Sequence, residues 1–430
     1  MLEKKYSKLG EAFFSKTLAN GLTVFLLPKA DFHKTHAIFS TNYGSIDNQF
    51  TLSNTDEVIS VPDGIAHFLE HKLFDKENTD ISLVFAKQGA SSNAFTSFTK
   101  TSYFFSTIEN VYQNLELLLD FVQTPYFSKQ SIEKEKGIIT QEIQMYQDDP
   151  DWRLFFGLLN NLYPNQSLSI DIAGTPESIR KITPEDLYLC YHTFYHPSNM
   201  ILFVTGPFDV ERMMSFIQAN QAKKTFPKAT AIQKNSTIAK QAIVAHDEIK
   251  MEIITPKLII GFKGNDDLAN YTEKELITYK LAISFALKLL FTVSSANYQE
   301  LYHNSLIDES FYADFSLERS FHFIEISSDT EYPKELSKIL RKKVTEYKTA
   351  ADWNAAHLER IKKNALGKLI MSLDNLGYLA NQFSQNLYPN TTFLDLPEII
   401  QEITLAEIEH YLEIFLKHTE FADFTIFPKD

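Results

Sequence analysis

His67 and His71 stand four residues apart, with Glu70 directly before the second, in the stretch Asp63-Gly64-Ile65-Ala66-His67-Phe68-Leu69-Glu70-His71-Lys72-Leu73-Phe74. On a helix, positions i and i+4 share one face. Two imidazoles so placed can hold one metal ion. A glutamate at i+3 falls on the same side, beside the coordination position left open. A catalytic zinc takes three protein ligands and keeps a fourth position for water, so one ligand has to come from elsewhere. Glu142 lies 71 positions after His71, and Glu135 seven residues before Glu142. Seven residues make two helical turns, so both carboxylates share a face. One can bind the metal while the other accepts a hydrogen bond from a ligand imidazole. Spacing does not decide which. His192 and His196 repeat the four-residue spacing but enclose Thr193-Phe194-Tyr195, with no carboxylate, and Pro197 follows. The residue before a proline is pushed out of the helical region, so that pair reads as structural.

The elements around these residues can be sketched from periodicity. Asn20-Gly21 between apolar runs signals a hairpin. A strand follows over 36–41, then a polar loop to Pro62, and Asp63 is placed to cap the helix carrying the histidines. A short helix over 80–88 leads to two strands within 89–105. Helices are expected over 110–122 and 128–147, another from about 150, and one over 183–195, capped by Thr183 with Pro184 at its first position. Residues 199–206 read as a buried strand. After 245 the pattern restarts: a strand at 258–263, a helix at 271–292, strands within 311–328, and helices at 333–348 and 353–386.

Ile182 through Asp209 can be laid on Ile403 through Asp430 at a constant offset of 221, with Ile, Thr, Phe194/Phe415, Phe203/Phe424, Pro and Asp coinciding. This predicts an α+β chain of two homologous α/β halves, each a mainly antiparallel sheet packed with helices. The expected domains are 1–225, which holds the candidate ligands, a linker at 226–245 rich in Ala, Lys, Gln and Thr, and 246–430 without a metal site.

Bulk properties narrow the function. At 430 residues the chain exceeds what one core usually organises. A net charge of −14 argues against a nucleic-acid partner, which would call for a basic surface. No run approaches the ~18 apolar residues of a membrane span, and the N-terminal residues carry no secretory signal. A single cysteine, Cys190, rules out an internal disulfide and fits a reducing compartment, so a cytoplasmic location is expected.

His67-Phe68-Leu69-Glu70-His71, followed by the Glu135/Glu142 pair, resembles the pitrilysin/insulinase family of inverzincin zinc peptidases, whose motif is H-x-x-E-H. The likeness extends to Asn93-Ala94-Phe95-Thr96, to Tyr195-His196-Pro197-Ser198-Asn199-Met200 running into Gly206, and to the duplicated halves. It implies a clam-shell half and a zinc metalloendopeptidase acting on peptides or small unfolded proteins. One Zn²⁺ per chain would sit on His67, His71 and Glu142. Glu70 would be the general base, Glu135 the carboxylate supporting a ligand, and Asn93, Ala94, Phe95 and Thr96 a substrate-binding edge strand. In self-sufficient relatives the second half supplies an Arg and, seven residues on, a Tyr near the scissile bond. Here Tyr302 and Glu309 stand at those places. The resemblance therefore points to the zinc-bearing subunit of a two-chain enzyme. Its partner would be a homologous subunit carrying the Arg/Tyr pair, with a homodimer as the other arrangement. The rival reading is a non-catalytic structural or peptide-binding subunit of the same fold.

Overall fold

The computed structural model describes residues 1–53, 57–77, 79–234, 242–385 and 391–429. By internal contacts the chain forms two compact units. Unit 1 comprises Met1–Gln144, Asp171–Ser236 and Ile370–Leu387; unit 2 comprises Met145–Ile170, Thr237–Leu369 and Tyr388–Asp430.

Unit 1 is built on seven strands: β1 (Leu2–Tyr6), β2 (Glu11–Thr17), β3 (Thr23–Pro28), β4 (Thr35–Thr41), β5 (Ala90–Thr96), β6 (Thr101–Thr107) and β7 (Met200–Gly206). Their order is β1-β2-β3-β7-β4-β6-β5, which leaves β5 at one edge. Only the β7–β3 pairing is parallel. The Asn20-Gly21 hairpin joins β2 to β3, with Thr17 opposite Thr23 and Gly21 at φ +92°. Unit 2 has five strands: β8 (His246–Met251), β9 (Lys257–Lys263), β10 (Tyr312–Leu317), β11 (His322–Asp329) and β12 (Glu420–Pro428), in the order β8-β12-β9-β11-β10. That order repeats β3-β7-β4-β6-β5 of unit 1, with the same single parallel pairing, β8 with β12. The duplication read from the offset of 221 is thus visible as repeated topology. The helices Pro184–Phe194 and Leu405–Lys417 both open on threonine capping boxes, Thr183 with Asp186 and Thr404 with Glu407.

The units are not the contiguous stretches 1–225 and 246–430. Four helices matter here: α1 (Ile65–Phe74), α2 (Lys129–Asp148), α3 (Pro150–Leu162) and α4 (Leu376–Gln385). α3 belongs to unit 2, although it precedes residue 225. Its buried face, Leu154, Leu158, Leu159 and Leu162, packs on β9 and β12. Two glycines allow the close approach. A Cβ on Gly157 would lie 2.4 Å from the Phe424 ring, and one on Gly261 would lie 2.8 Å from Leu158 Cδ1. α4 belongs to unit 1, where Phe383 stacks on Phe13 and Phe203 at 5.1 and 4.5 Å between centroids. The expected helix over 353–386 is in fact two, Ala355–Ser372 and α4. The polar loop before Pro62 also carries structure: Gln49–Leu52 pairs with Val58–Ser60 and with Ile232–Lys234 in a small sheet. Lys234, inside the expected linker, reaches Asn42 Oδ1 at 3.0 Å and Asp47 Oδ2 at 3.2 Å. Linker residues 235–241 lie outside the described residues. Among those that are described, no single helix is long and apolar enough to cross a membrane.

One buried carboxylate works against stability. Glu325 on β11 is 8% exposed. Burial, and then the neighbouring Asp314 charge, raise its pKa from an ordinary 4.5 to about 7. The fold therefore prefers Glu325 protonated. Stability linked to this group is fully present below pH 4.5 and is lost as pH rises through 7. Glu325→Gln is expected to match wild type in denaturant unfolding near pH 4.5 and to exceed it above pH 7 by up to about 3 kcal/mol. A variant less stable than wild type at pH 7.5 would contradict that sign.

Candidate active site

α1 begins where the chain turns left-handed. The N-cap is Gly64, at φ +83°, and no side chain caps the helix. Asp63 does not cap; its Oδ1 accepts a hydrogen bond from Asn48 Nδ2 at 2.6 Å. Gly64 is needed there twice over. Its φ disfavours any side chain, and a Cβ would lie 2.4 Å from the Ala173 carbonyl oxygen. The helix is then buried along nearly its whole length, from Ile65 through Leu73. Even Lys72 is fully enclosed, its ammonium 2.5 Å from Asp75 Oδ2. A helix so immersed holds His67, Glu70 and His71 in fixed positions.

His67 and His71 project side by side, ring centroids 4.5 Å apart at 60°. α2 crosses opposite them. Glu142 Oε1 lies 3.6 Å from His67 Nε2, and Glu142 Oε2 lies 3.7 Å from His71 Nε2. One donor atom from each of the three residues can be chosen so that all lie within 4.8 Å of one another. In a tetrahedral site with bonds of ~2.1 Å, ligand atoms sit about 3.4 Å apart. Two imidazole nitrogens and a carboxylate oxygen at these separations therefore fit a zinc-sized ion. Glu135 meets the other side of the same ring, with Oε1 accepting from His71 Nδ1 at 3.0 Å. That bond fixes the tautomer that turns the Nε2 lone pair toward Glu142. His67 Nδ1 is buried and finds no hydrogen-bond partner among the described residues.

The electrostatics separate the two rings. Burial, then the neighbouring His71, push His67 down to about 3, so it is neutral and able to donate a lone pair. Burial also pulls His71 down, but the Glu135 hydrogen bond and the charges of Glu70, Glu135 and Glu142 outweigh it and hold its pKa above 6.5. Burial raises Glu70 to about 7, against the lowering effects of a Thr96 hydrogen bond and of His71. A carboxylate poised near neutrality can both accept and return a proton.

Thr96 has a more direct place than an edge-strand contact. Its Oγ1 donates to Glu70 Oε2 at 2.6 Å. The strand register accounts for this: Thr96 pairs with Thr101, and alternation along β5 puts Thr96 and Ala94 on the α1 side and Phe95 on the other. Phe95 lies beneath the Lys100 ammonium, 5.2 Å from its ring centroid. Asn93 Oδ1 accepts from the Ala94 amide at 2.8 Å. Among the described residues no strand pairs with the outer edge of β5. Losing a hydrogen bond to a charged group costs about 1.5–3 kcal/mol. For the peptide cleavage that the resemblance implies, Thr96→Val is therefore expected to lower kcat by roughly tenfold or more, with Thr96→Ser restoring most of it. Equal rates for Thr and Val would remove the hydroxyl from the reaction.

The second histidine pair is held by ordinary structure. His196 bonds Ser198 Oγ and the Pro227 carbonyl, at 2.8 and 3.0 Å, and His192 stacks on Tyr188. In unit 2, Tyr302 is 41% exposed and stacks on Tyr298, and Glu309 lies exposed ahead of β10.

The sequence matches the family described as Insulinase (Peptidase family M16) over residues 61–176, and that described as Peptidase M16 inactive domain over 181–365. It is 43% identical over 410 residues to an uncharacterized zinc protease, YmfH, of Bacillus subtilis, covering 95% of each chain. The chain belongs to peptidase family M16. Its fold matches the crystal structure of an M16-like peptidase from Alicyclobacillus acidocaldarius at a TM-score of 0.91 and 33% identity, over 97% of this chain and 99% of that one. The periplasmic protease PqqL of Escherichia coli shares the M16 fold at a TM-score of 0.74 and 19% identity, but 99% of this chain covers only 48% of PqqL. The two M16 matches divide the chain as the site does. His67, Glu70, His71, Glu135 and Glu142 all fall within 61–176, and Tyr302 and Glu309 fall within the stretch described as inactive.

Proposed function

We propose that this chain is the zinc-bearing subunit of an M16 metalloendopeptidase that hydrolyses peptides or small unfolded proteins. The observation that carries this reading is the meeting of His67, His71 and Glu142 across α1 and α2, with Glu70 beside them and hydrogen-bonded to Thr96. One Zn²⁺ on those three residues would supply a Lewis acid for the scissile carbonyl and a water of lowered pKa. Glu70 takes the proton from the attacking water and passes it to the departing amine. Thr96 holds one carboxylate oxygen of Glu70 and leaves the other for that transfer. Glu135 orients His71. An extended peptide adds to the free edge of β5, so that backbone hydrogen bonds set its register and Asn93 to Thr96 lie alongside it. The partner is a homologous chain carrying an Arg/Tyr pair, in line with PqqL being about twice as long as the part matched here. A cytoplasmic setting agrees with the one buried, free cysteine, Cys190.

Metal analysis tests the reading. Purified chain is expected to carry one zinc, and Glu142→Gln, which removes the anionic ligand while keeping its shape, should lose most of it. Peptide cleavage should stop with a chelator and return with added zinc. Full zinc content in Glu142→Gln would remove that residue from the ligand set.

A further inference from the structure

Unit 2 contains a buried carboxylate, Glu325, that no cation neutralises among the described residues. Register places Gly261 (β9), Glu325 (β11) and Asp314 (β10) in one row across the sheet, on the face that α3 packs against. The Glu325 carboxylate opens into a cavity of about 300 Å³ beside α3, walled by Leu154 and Phe155 and by Tyr312. Glu325 is 92% buried, and no hydrogen bond reaches its side chain among the described residues. The one cation in the cavity is already engaged. Lys257 Nζ sits 2.8 Å from Asp329 Oδ1 and 3.0 Å from Asp151 Oδ1. That leaves Glu325 facing the space without a counter-charge of its own, and Asp314, its neighbour in the row, adds negative charge behind it. Gly261 adds no side chain on that side. A buried carboxylate with no donor is costly, and the pKa of Glu325, raised to about 7 by burial, shows the cost. A ligand that brings both charge and several donors would remove it.

We propose that this cavity binds a cationic side chain or amine, a guanidinium or primary ammonium on an aliphatic stem, with Glu325 taking the charge, Asp314 adding to the negative potential at Glu325, and Leu154 and Phe155 holding the stem. The site lies wholly within unit 2 and uses none of the residues assigned to zinc or peptide hydrolysis. It stands or falls independently of that activity.

The test is calorimetric binding to the full chain of three probes: N-acetyl-arginine amide, its neutral isostere N-acetyl-citrulline amide, and agmatine. The arginine probe should bind at least tenfold more tightly than citrulline. Glu325→Gln should abolish that preference while unfolding no earlier than wild type, and Asp314→Asn should weaken it. Tighter binding of the capped arginine than of agmatine assigns the cavity to a peptide side chain, and the reverse assigns it to a free amine; both support the site. Equal binding of arginine and citrulline, no binding of either, or a preference that survives Glu325→Gln would overturn it.

Discussion

Glu70→Gln is expected to lower the rate of peptide hydrolysis by about three orders of magnitude, within the range that general acid–base groups supply, while zinc content and folding stay as in wild type. The substitution preserves shape. A glutamine oxygen can still accept the Thr96 hydroxyl that lies 2.6 Å from Oε2. It cannot take a proton from water or return one to the amine. The metal should stay, because the three proposed ligands are His67, His71 and Glu142, and Glu70 is absent from that group. Folding should not suffer, because burial raises the Glu70 pKa to about 7, and replacing a buried carboxylate by a neutral amide lifts that penalty. Three measurements on one protein therefore separate the roles: initial rates on an unstructured peptide, metal content, and thermal unfolding. Loss of zinc together with activity would make Glu70 a ligand. Cleavage at the wild-type rate would take it out of the chemistry and favour the reading of this chain as a binding subunit.

The parts of this site that were legible in the sequence are those fixed by local geometry. His67, Glu70 and His71 share one helical face because of a spacing that any helix enforces. The pairing of Glu135 with Glu142 was legible for the same reason, but which of them approaches the rings depends on how α2 crosses α1, and no local rule gives that. The structure puts Glu142 against both Nε2 atoms and Glu135 on His71 Nδ1. Thr96 was read as part of a strand that meets substrate. Its bond to Glu70 follows from strand register, which pairs it with Thr101 and so turns it toward α1. Asp63 had the residue type of a cap, yet the left-handed backbone at Gly64 moved the helix start by one residue. The domain outline was harder still. α3 has an apolar face that would suit either sheet, and only Gly157 and Gly261, glycines without meaning until the partner surface is known, show which sheet it approaches closely. Duplication, by contrast, was legible from an ungapped offset, because two copies of one fold keep the same capping threonines and the same helix-to-strand step, Thr183 with β7 and Thr404 with β12.

The chain alone is expected to cleave peptides at least a hundredfold more slowly than an equimolar mixture with a homologous chain that carries the Arg/Tyr pair. A zinc ligand set and a base activate water and polarise a carbonyl, but the negative charge that develops on the carbonyl oxygen also needs fixed donors. Removing a single such donor from a hydrolytic site costs about 10²–10³ in rate. Where the family resemblance leads one to expect an arginine and a tyrosine, this chain has Tyr302, stacked on Tyr298, and Glu309. Two copies of the chain would bring the same Tyr and Glu, so self-association should not rescue the rate, whereas a homologue with Arg and Tyr should. Rates measured at a fixed chain concentration against added partner, with the mass of the complex determined by light scattering, distinguish these cases. The double substitution Tyr302→Arg, Glu309→Tyr provides the reciprocal test, since restored donors in cis should raise the rate of the chain alone. Full activity from the unmixed, unsubstituted chain would mean that the donors come from within it, and the requirement for a second subunit would fall.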